Sequence, residues 1–516
     1  MNYAFFERPN MKFLNLLNFS SKKETMPKKK RIKFPSPVTA KTAADVFTDC
    51  YDFVTRQIAL GGDNNKEVTL CFIDGLVDSK TLAETVLRPL TDSQRFGGDI
   101  PSTDAIAKML GGVTYTASVK HRTVLDDVVQ DLLNGFCAII IDREQTAVTF
   151  EVRANASRSV SEPKEEKVIK GSKDAFIELL KMNTTLVRRK LKNPNLRIRT
   201  AEIGNKTGTS VAIVYINDFT NMEIVNEVEK RLKSINVEGV LTAAAIEENI
   251  VDSPATPFPQ LISTERPDKF CMNILEGRVG IIVDGLPMGY LAPGTFAQYF
   301  KVPEDVANHF IVASALTTLR YIALIITLLL PAFYVAVTMY HHEMLPTKLM
   351  LSIIDAKEAV PFPTAIEVLL LLSAFELLQE AGLRLPNPIG ETVSIIGALI
   401  VGQSAVEAKV VSPVVVIVIA AAGISGYTVP NQDMSSALRI SRFILVLFAI
   451  AGGMFGIAAG VVILVYHLSS LESYGVAYMT PLAGQNTKKK GRVFGRGPMS
   501  GFRQADPALK TKESGQ

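Results

Sequence analysis

Apolar and polar positions divide the 516-residue chain into two unequal parts. In the first, short strand-like runs alternate with helical faces; in the second, long apolar stretches follow one another. No charge interrupts Tyr321–Tyr340, Val410–Gln432 or Phe443–Leu471, and each run can cross a hydrocarbon core of about 30 Å as a helix. The pattern predicts an integral membrane protein, with an α+β soluble part of two cytoplasmic α/β subdomains preceding a polytopic helical membrane domain.

In 44–155, Val68–Ile73 reads as a strand leaving through Asp74-Gly75, and Ser79–Leu87 as a helix. Val124, Leu125, Val128, Val129, Leu132 and Leu133 form one helical face. Phe136–Ile141 and Ala147–Val152 read as a hairpin. Residues 156–170 are polar without periodicity, a linker. In 171–250 the pattern predicts helices at Asp174–Met182, Met222–Ile235 and Thr242–Ile250 and a strand at Ser210–Ile216. Both units mix strands and helices, which favours small sheets covered by helices. Residues 251–305 read as a proline-rich connector with a hairpin at Arg278–Val283. The basic stretch 1–43 reads as a disordered tail and 471–516 as a basic cytoplasmic tail.

Five apolar segments fall within 306–470. Three are strong (315–340, 410–430 and 441–468); 364–382 and 389–407 are weaker. Both chain ends are basic, which places both on the cytoplasmic side and makes the number of complete crossings even. The expectation is four crossings plus one partial or re-entrant segment, 389–407. Its Gly390, Gly397, Gly402, Gln403 and Ser404 suit backbone buried against protein. Gly452, Gly456 and Gly460 recur four apart, a spacing that lets helices approach closely.

Segment 364–382 carries Glu367, Glu376 and Glu380. An intramembrane acid costs about 2.5–3.5 kcal/mol on insertion scales, so such residues face a bundle interior or water. Glu376, Gln379 and Glu380 share one helix face, whereas Glu367 lies about 180° away. Either Glu367 or the Glu376/Glu380 pair is therefore the candidate ion path; acids at the headgroups are the plain alternative.

Composition narrows the chemistry further. A net charge of +4 is too small to imply a nucleic-acid partner. Cys50, Cys71, Cys137 and Cys271 contain no CxxC pair, which points to a reducing compartment rather than to disulfides or zinc. No P-loop, dinucleotide-binding, nucleophile-elbow or HExxH motif is present. His341 and His342 would point apart on a helix. The reading is therefore no enzyme, no catalytic residue, no cofactor and no metal.

Two stretches carry more specific information. The first holds Pro257-Phe258-Pro259-Gln260, Thr264-Glu265-Arg266-Pro267-Asp268, and Leu275-Glu276-Gly277-Arg278 running into Val283-Asp284-Gly285. The second holds Pro361-Phe362-Pro363, Glu367, Phe375-Glu376-Leu377, Glu380-Ala381-Gly382, Arg384-Leu385-Pro386 and Gly397 to Gly402. Over roughly 44–484 the chain resembles the A subunit of the GerA family of bacterial spore germination receptors. Asn183, Arg188, Arg189 and Tyr215-Ile216 are weaker echoes.

The resemblance implies a spore inner-membrane location. It also implies a transporter-like, nutrient-binding B subunit and a C subunit lipoprotein as partners. The A subunit would form a homo-oligomeric ring, a pentamer, that conducts cations when nutrient binds. Two alternatives stay open: an alternating-access transporter, disfavoured by the lack of paired repeats, and a non-conducting signalling scaffold. The Thr264–Asp268 motif is expected to hold a local turn in which Arg266 lies between Glu265 and Asp268. That turn would set the soluble part on the membrane domain or a neighbouring subunit.

Overall fold

In the computed structural model the described residues are 36–154, 170–384 and 402–483, less 63–66, 97–100, 115 and 117, together with Phe34, Pro163, Glu166, Gly495 and 507–511. Most of the expected N-terminal tail and of the 156–170 linker, together with Gly390 and Gly397, lie outside them; the last residues of that tail are ordered, since Thr39 caps a helix over Ala40–Val46 and Val38 and Ala43 are buried.

Two five-stranded sheets form the soluble part. The first contains β1 (Phe53–Ala59), β2 (Glu67–Ile73), β3 (Val119–Arg122), β4 (Phe136–Ile141) and β5 (Thr146–Glu151) in the order β1-β2-β4-β5-β3. Every pairing is antiparallel. The predicted hairpin is β4–β5, with Phe136 opposite Glu151. Helix α1 (Leu125–Leu133) lays Leu125, Val128, Val129, Leu132 and Leu133 on the sheet.

The second sheet contains β6 (Leu196–Ile203), β7 (Thr209–Ile216), β8 (Ile262–Thr264), β9 (Val279–Val283) and β10 (Gly289–Ala292) in the order β6-β7-β9-β10-β8, again all antiparallel. Helices α2 (Leu180–Lys190), α3 (Met222–Ser234) and α4 (Pro267–Glu276) pack on it. Residues 251–305 are thus not a connector: they supply three strands and a helix. β9 is the central strand and is buried along its whole length, so the second subdomain is incomplete without them. Helix α2 also starts later than Asp174, because the Asn183 side chain bonds both the N–H and the C=O of Ile177 and holds that segment extended. The Phe270 ring lies against Gly280 and Gly289, where any side chain would collide with it.

The two soluble units meet at a buried ion pair. Arg188, 1% exposed, donates to both Asp52 oxygens at 2.8 and 2.9 Å and to the Leu196 carbonyl at 2.9 Å.

Among the described residues the helical part includes α5 (Phe310–Met339), α6 (Thr347–Lys357), α7 (Thr364–Arg384), α8 (Pro413–Gly426) and α9 (Gln432–Ser470). Among the described residues α5 and α9 are long and apolar enough to cross a membrane, while α8 is apolar but has 14 residues. α9 is not one rod, however. At Gly452 and Gly453 the backbone leaves helical geometry, and Gly453 takes φ +56°, open only to glycine at low cost. Phe448 and Gly460 would stand about 18 Å apart along a continuous helix, yet a Cβ at 460 would lie 3.4 Å from the Phe448 Cβ. The predicted single segment 441–468 is therefore a hairpin of two antiparallel arms. Gly456 and Gly460 face residues 445–449 of the other arm, and Gly452 forms the turn. The tip is held by the Tyr340 hydroxyl on the Ile450 carbonyl and by the Met454 N–H on His341 Nε2 at 3.3 Å.

Both feet of the hairpin stand on the second subdomain. Ser263 donates to Asp433 at 3.3 Å, and Thr256 shares a hydrogen bond with His467 at 2.8 Å. One hydrophobic core runs from sheet residues such as Val214 and Ile282 through Phe258, Phe296 and Phe300 to Tyr321, Met434, Leu438 and Leu468. Arg320 reinforces it with two bonds to Asp305, 2.7 and 3.0 Å. The expected C-terminal tail is partly structured. Tyr478 joins that core, and the Tyr474 N–H donates to Asp252 at 2.8 Å. Leu509 is buried against the sheet.

Replacing Phe448 and Gly460 together by cysteine is expected to give an intramolecular disulfide, since Cβ atoms about 3.5–4.5 Å apart bridge readily. Mass spectrometry of the oxidised protein checks it; a continuous helix would yield no such cross-link.

Candidate functional site: a charged seam in the helical bundle

Helices α7 and α8 run parallel, with Glu367 beside Ser412 at one level and Phe375 against Gly423 at the other. Between α7 and the first arm of α9 lies a seam of charge. Glu376 accepts from Arg439 Nη1 at 3.0 Å and from Arg442 Nη2. Arg439 also donates to Gln379 Oε1 at 3.1 Å and to Ser436 Oγ at 3.0 Å. Arg442 is 1% exposed. The two pairs share one geometry: 376/379 and 439/442 are both i,i+3, so each presents two side chains on one helix face. Beside them a small cleft is lined by Thr327, Phe375, Gly423 and Ser435. Glu380, one turn on, is exposed.

Glu367 is fully buried on the other face of α7. Its Oε2 accepts from the Ser412 N–H at 2.7 Å, and its Oε1 lies 3.1 Å from Lys357 Nζ. Neither Glu367 nor Glu376 is therefore an open carboxylate: each is matched to a cation of the same chain. The sequence reading missed Arg439, Arg442 and Lys357. Arg439 and Arg442 stand immediately before the charge-free run at Phe443, where they read as flanking charges; their i,i+3 spacing was the available signal.

The Thr264–Asp268 motif is built around the inter-subdomain linker. Arg266 is fully buried and donates to both Asp268 oxygens, 3.1 and 2.7 Å, to the Glu166 carbonyl at 3.1 Å and to the Ser172 carbonyl at 2.9 Å. The Glu166 carboxylate is met by the Thr264 hydroxyl and by Lys269 Nζ. Glu265 does not pair with Arg266; its Oε1 accepts the Glu166 N–H at 2.7 Å and its carbonyl the Phe176 N–H at 2.7 Å. Pro267 opens α4, where its missing N–H costs nothing. The motif therefore clasps the linker to the second sheet instead of reaching the helical bundle.

The family model described as Bacillus/Clostridium GerA spore germination protein matches residues 41–507. The chain belongs to the GerA family. Spore germination protein KA of Bacillus subtilis is 36% identical over 458 residues, covering 88% of this chain and 84% of that protein. Spore germination protein GerLA of Bacillus cereus is 36% identical over 464 residues, covering 90% and 93%. The solved N-terminal domain of the A subunit of the Bacillus megaterium spore germinant receptor GerK3 aligns at TM-score 0.40 and 29% identity, over 50% of this chain and 93% of that one. Membership in this family supports a role in spore germination.

Glu376→Ala leaves two guanidinium groups without their counter-charge in the bundle. A loss of about 3–5 kcal/mol is expected, because removing one partner of a buried pair strands the other's charge. Thermal unfolding of the full chain in detergent checks it, and replacing Glu376, Arg439 and Arg442 together by Leu, Met and Met is expected to recover most of the loss. Arg266→Ala is expected to speed proteolysis of residues 155–172 several-fold. Arg266→Lys is expected not to rescue, since an ammonium cannot reproduce the planar fork of donors.

Proposed function

We propose that this chain is the A subunit of a spore nutrient germinant receptor, and that it triggers germination by forming an oligomeric, ligand-gated cation channel in the spore inner membrane. The observation that carries this reading is the family match over nearly the whole chain, to relatives named as spore germination proteins. A transporter-like B subunit that binds nutrient and a C subunit lipoprotein are its partners in this reading.

Two features support a membrane-embedded, assembling bundle. The outer faces of α5 and α9 are rich in exposed apolar side chains, among them Leu319, Ile322, Ile325, Ile444, Leu447 and Phe455, as suits lipid or a neighbouring subunit. The core shared with the second subdomain gives a displacement there a rigid route to the seam. In this reading α5, α7, α8 and both arms of α9 lie within the bilayer. The soluble units and both termini face the cytoplasm.

The acid-to-base pairings support a fastening role for Glu376 and Glu367. A paired Glu376 with Gln379 holds α7 to α9, and in this reading the exposed Glu380, one turn on, is the acid tested for cation selectivity. The same pairings favour the second reading, a non-conducting scaffold that relays a signal.

Purified full-length chain is expected to have the mass of a closed ring, several protomers in size, by native mass measurement. Reconstituted with its partner subunits in liposomes, it is expected to conduct cations on nutrient addition, with Glu380→Gln changing selectivity. A monomer that never assembles removes the channel; an assembled complex that signals without conductance leaves the scaffold.

A further inference from the structure

Fully buried Glu367 belongs to a cluster of oxygen atoms drawn from three helices. Ser412, the N-cap of α8, and Tyr334, on α5, are both at 8% exposure or below. Among the described residues the Ser412 and Tyr334 hydroxyls find no partner beyond each other, and Glu367 Oε1 faces the Lys357 ammonium at 3.1 Å. Thr364, 3% exposed, completes the group with a hydroxyl bonded to that same ammonium.

Buried polar oxygens are normally satisfied, and a set left short of donors calls for an explanation. Thr364 and Glu367 offer lone pairs to one positive centre, the Lys357 ammonium, and the Ser412 and Tyr334 oxygens stand beside that carboxylate. An ammonium group and a dehydrated monovalent metal ion ask for the same thing, a shell of oxygen atoms that replaces water. Lys357 differs from the buried guanidinium groups elsewhere in the chain: it ends the short helix α6, is 23% exposed along its side chain, and reaches inward from the periphery. Its long, flexible stem can withdraw, whereas a guanidinium is held by several hydrogen bonds at once.

We propose that Thr364, Glu367, Ser412 and Tyr334 form a monovalent-cation site, and that Lys357 fills it as a tethered cation. The tether gives the ammonium a high effective concentration, so the wild-type site does not exchange with ions in solution. Removing the ammonium exposes a buried carboxylate with three hydroxyls around it, which then binds potassium or sodium. The proposal concerns this chain alone and holds whether or not the assembled protein conducts.

The test uses the full chain in detergent and compares wild type, Lys357→Met, Lys357→Gln and Lys357→Met with Glu367→Gln. The melting temperature is read in potassium chloride, sodium chloride and choline chloride at equal ionic strength. Both single variants are expected to melt about 3 °C or more higher in potassium or sodium than in choline, saturably, since a ligand that binds only the folded state stabilises it. Wild type and the double variant are expected to show no such difference. The proposal is overturned if neither single variant distinguishes the metal ions from choline. It is equally overturned if the double variant responds as the single ones do, or if wild type responds as strongly as they do. Failure of both single variants to fold in any of the three salts overturns it as well, because a free cation would then be unable to replace the ammonium.

Discussion

A carboxylate inside an apolar helical bundle has to meet a positive charge, and that constraint organises the second half of this chain. Glu376 on α7 is answered by Arg439 and Arg442 on the first arm of α9. Removing either side would leave a charge in a medium that solvates it poorly. The pairing fixes which face of α7 turns inward and draws the first arm of α9 against it. Once α7 is so oriented, its opposite face carries Glu367 toward Ser412 and Lys357. One electrostatic requirement thus sets the rotation of a helix and the location of two polar sites.

The hairpin of α9 links this seam to the soluble part. Its two feet rest on the second subdomain, and its tip is held at the far end of α5 by Tyr340 and His341. The core beneath the feet is continuous with the core of the second sheet. Packed interiors resist compression and transmit strain, so the second sheet and the bundle behave as one body. The first sheet joins that body through Arg188 and Asp52, and the Arg266 clasp holds the linker between the two sheets close to the second. A displacement of the soluble part therefore has a packed route to Glu376.

Much of this was legible beforehand, in identifiable places. The strand at 67–73, the hairpin at 136–151 and the helices at 125–133 and 222–234 follow from local periodicity, because each covers a core with its own apolar face. The connector at 251–305 was misread because its strands are short and β9, an interior strand, is apolar throughout rather than alternating. Helix 441–468 was misread because hydropathy does not register a reversal: the turn is two glycines within an unbroken apolar run. Glu367 and Glu376 stood out as costly acids, but their partners lay 10 and more than 60 residues away in sequence.

What the sequence determined by itself was the division into a soluble and an apolar helical part, most of the local elements, the absence of recognised catalytic motifs, and the family. Each of these rests on composition, short-range periodicity or motif residues that stay together along the chain. Only the tertiary structure decided that Glu376 and Glu367 are paired rather than open, that the last apolar segment folds back on itself, and that Arg266 grips the linker. These depend on contacts between residues distant in sequence, and whether a buried charge is a site or a fastener is settled by what stands opposite it in space.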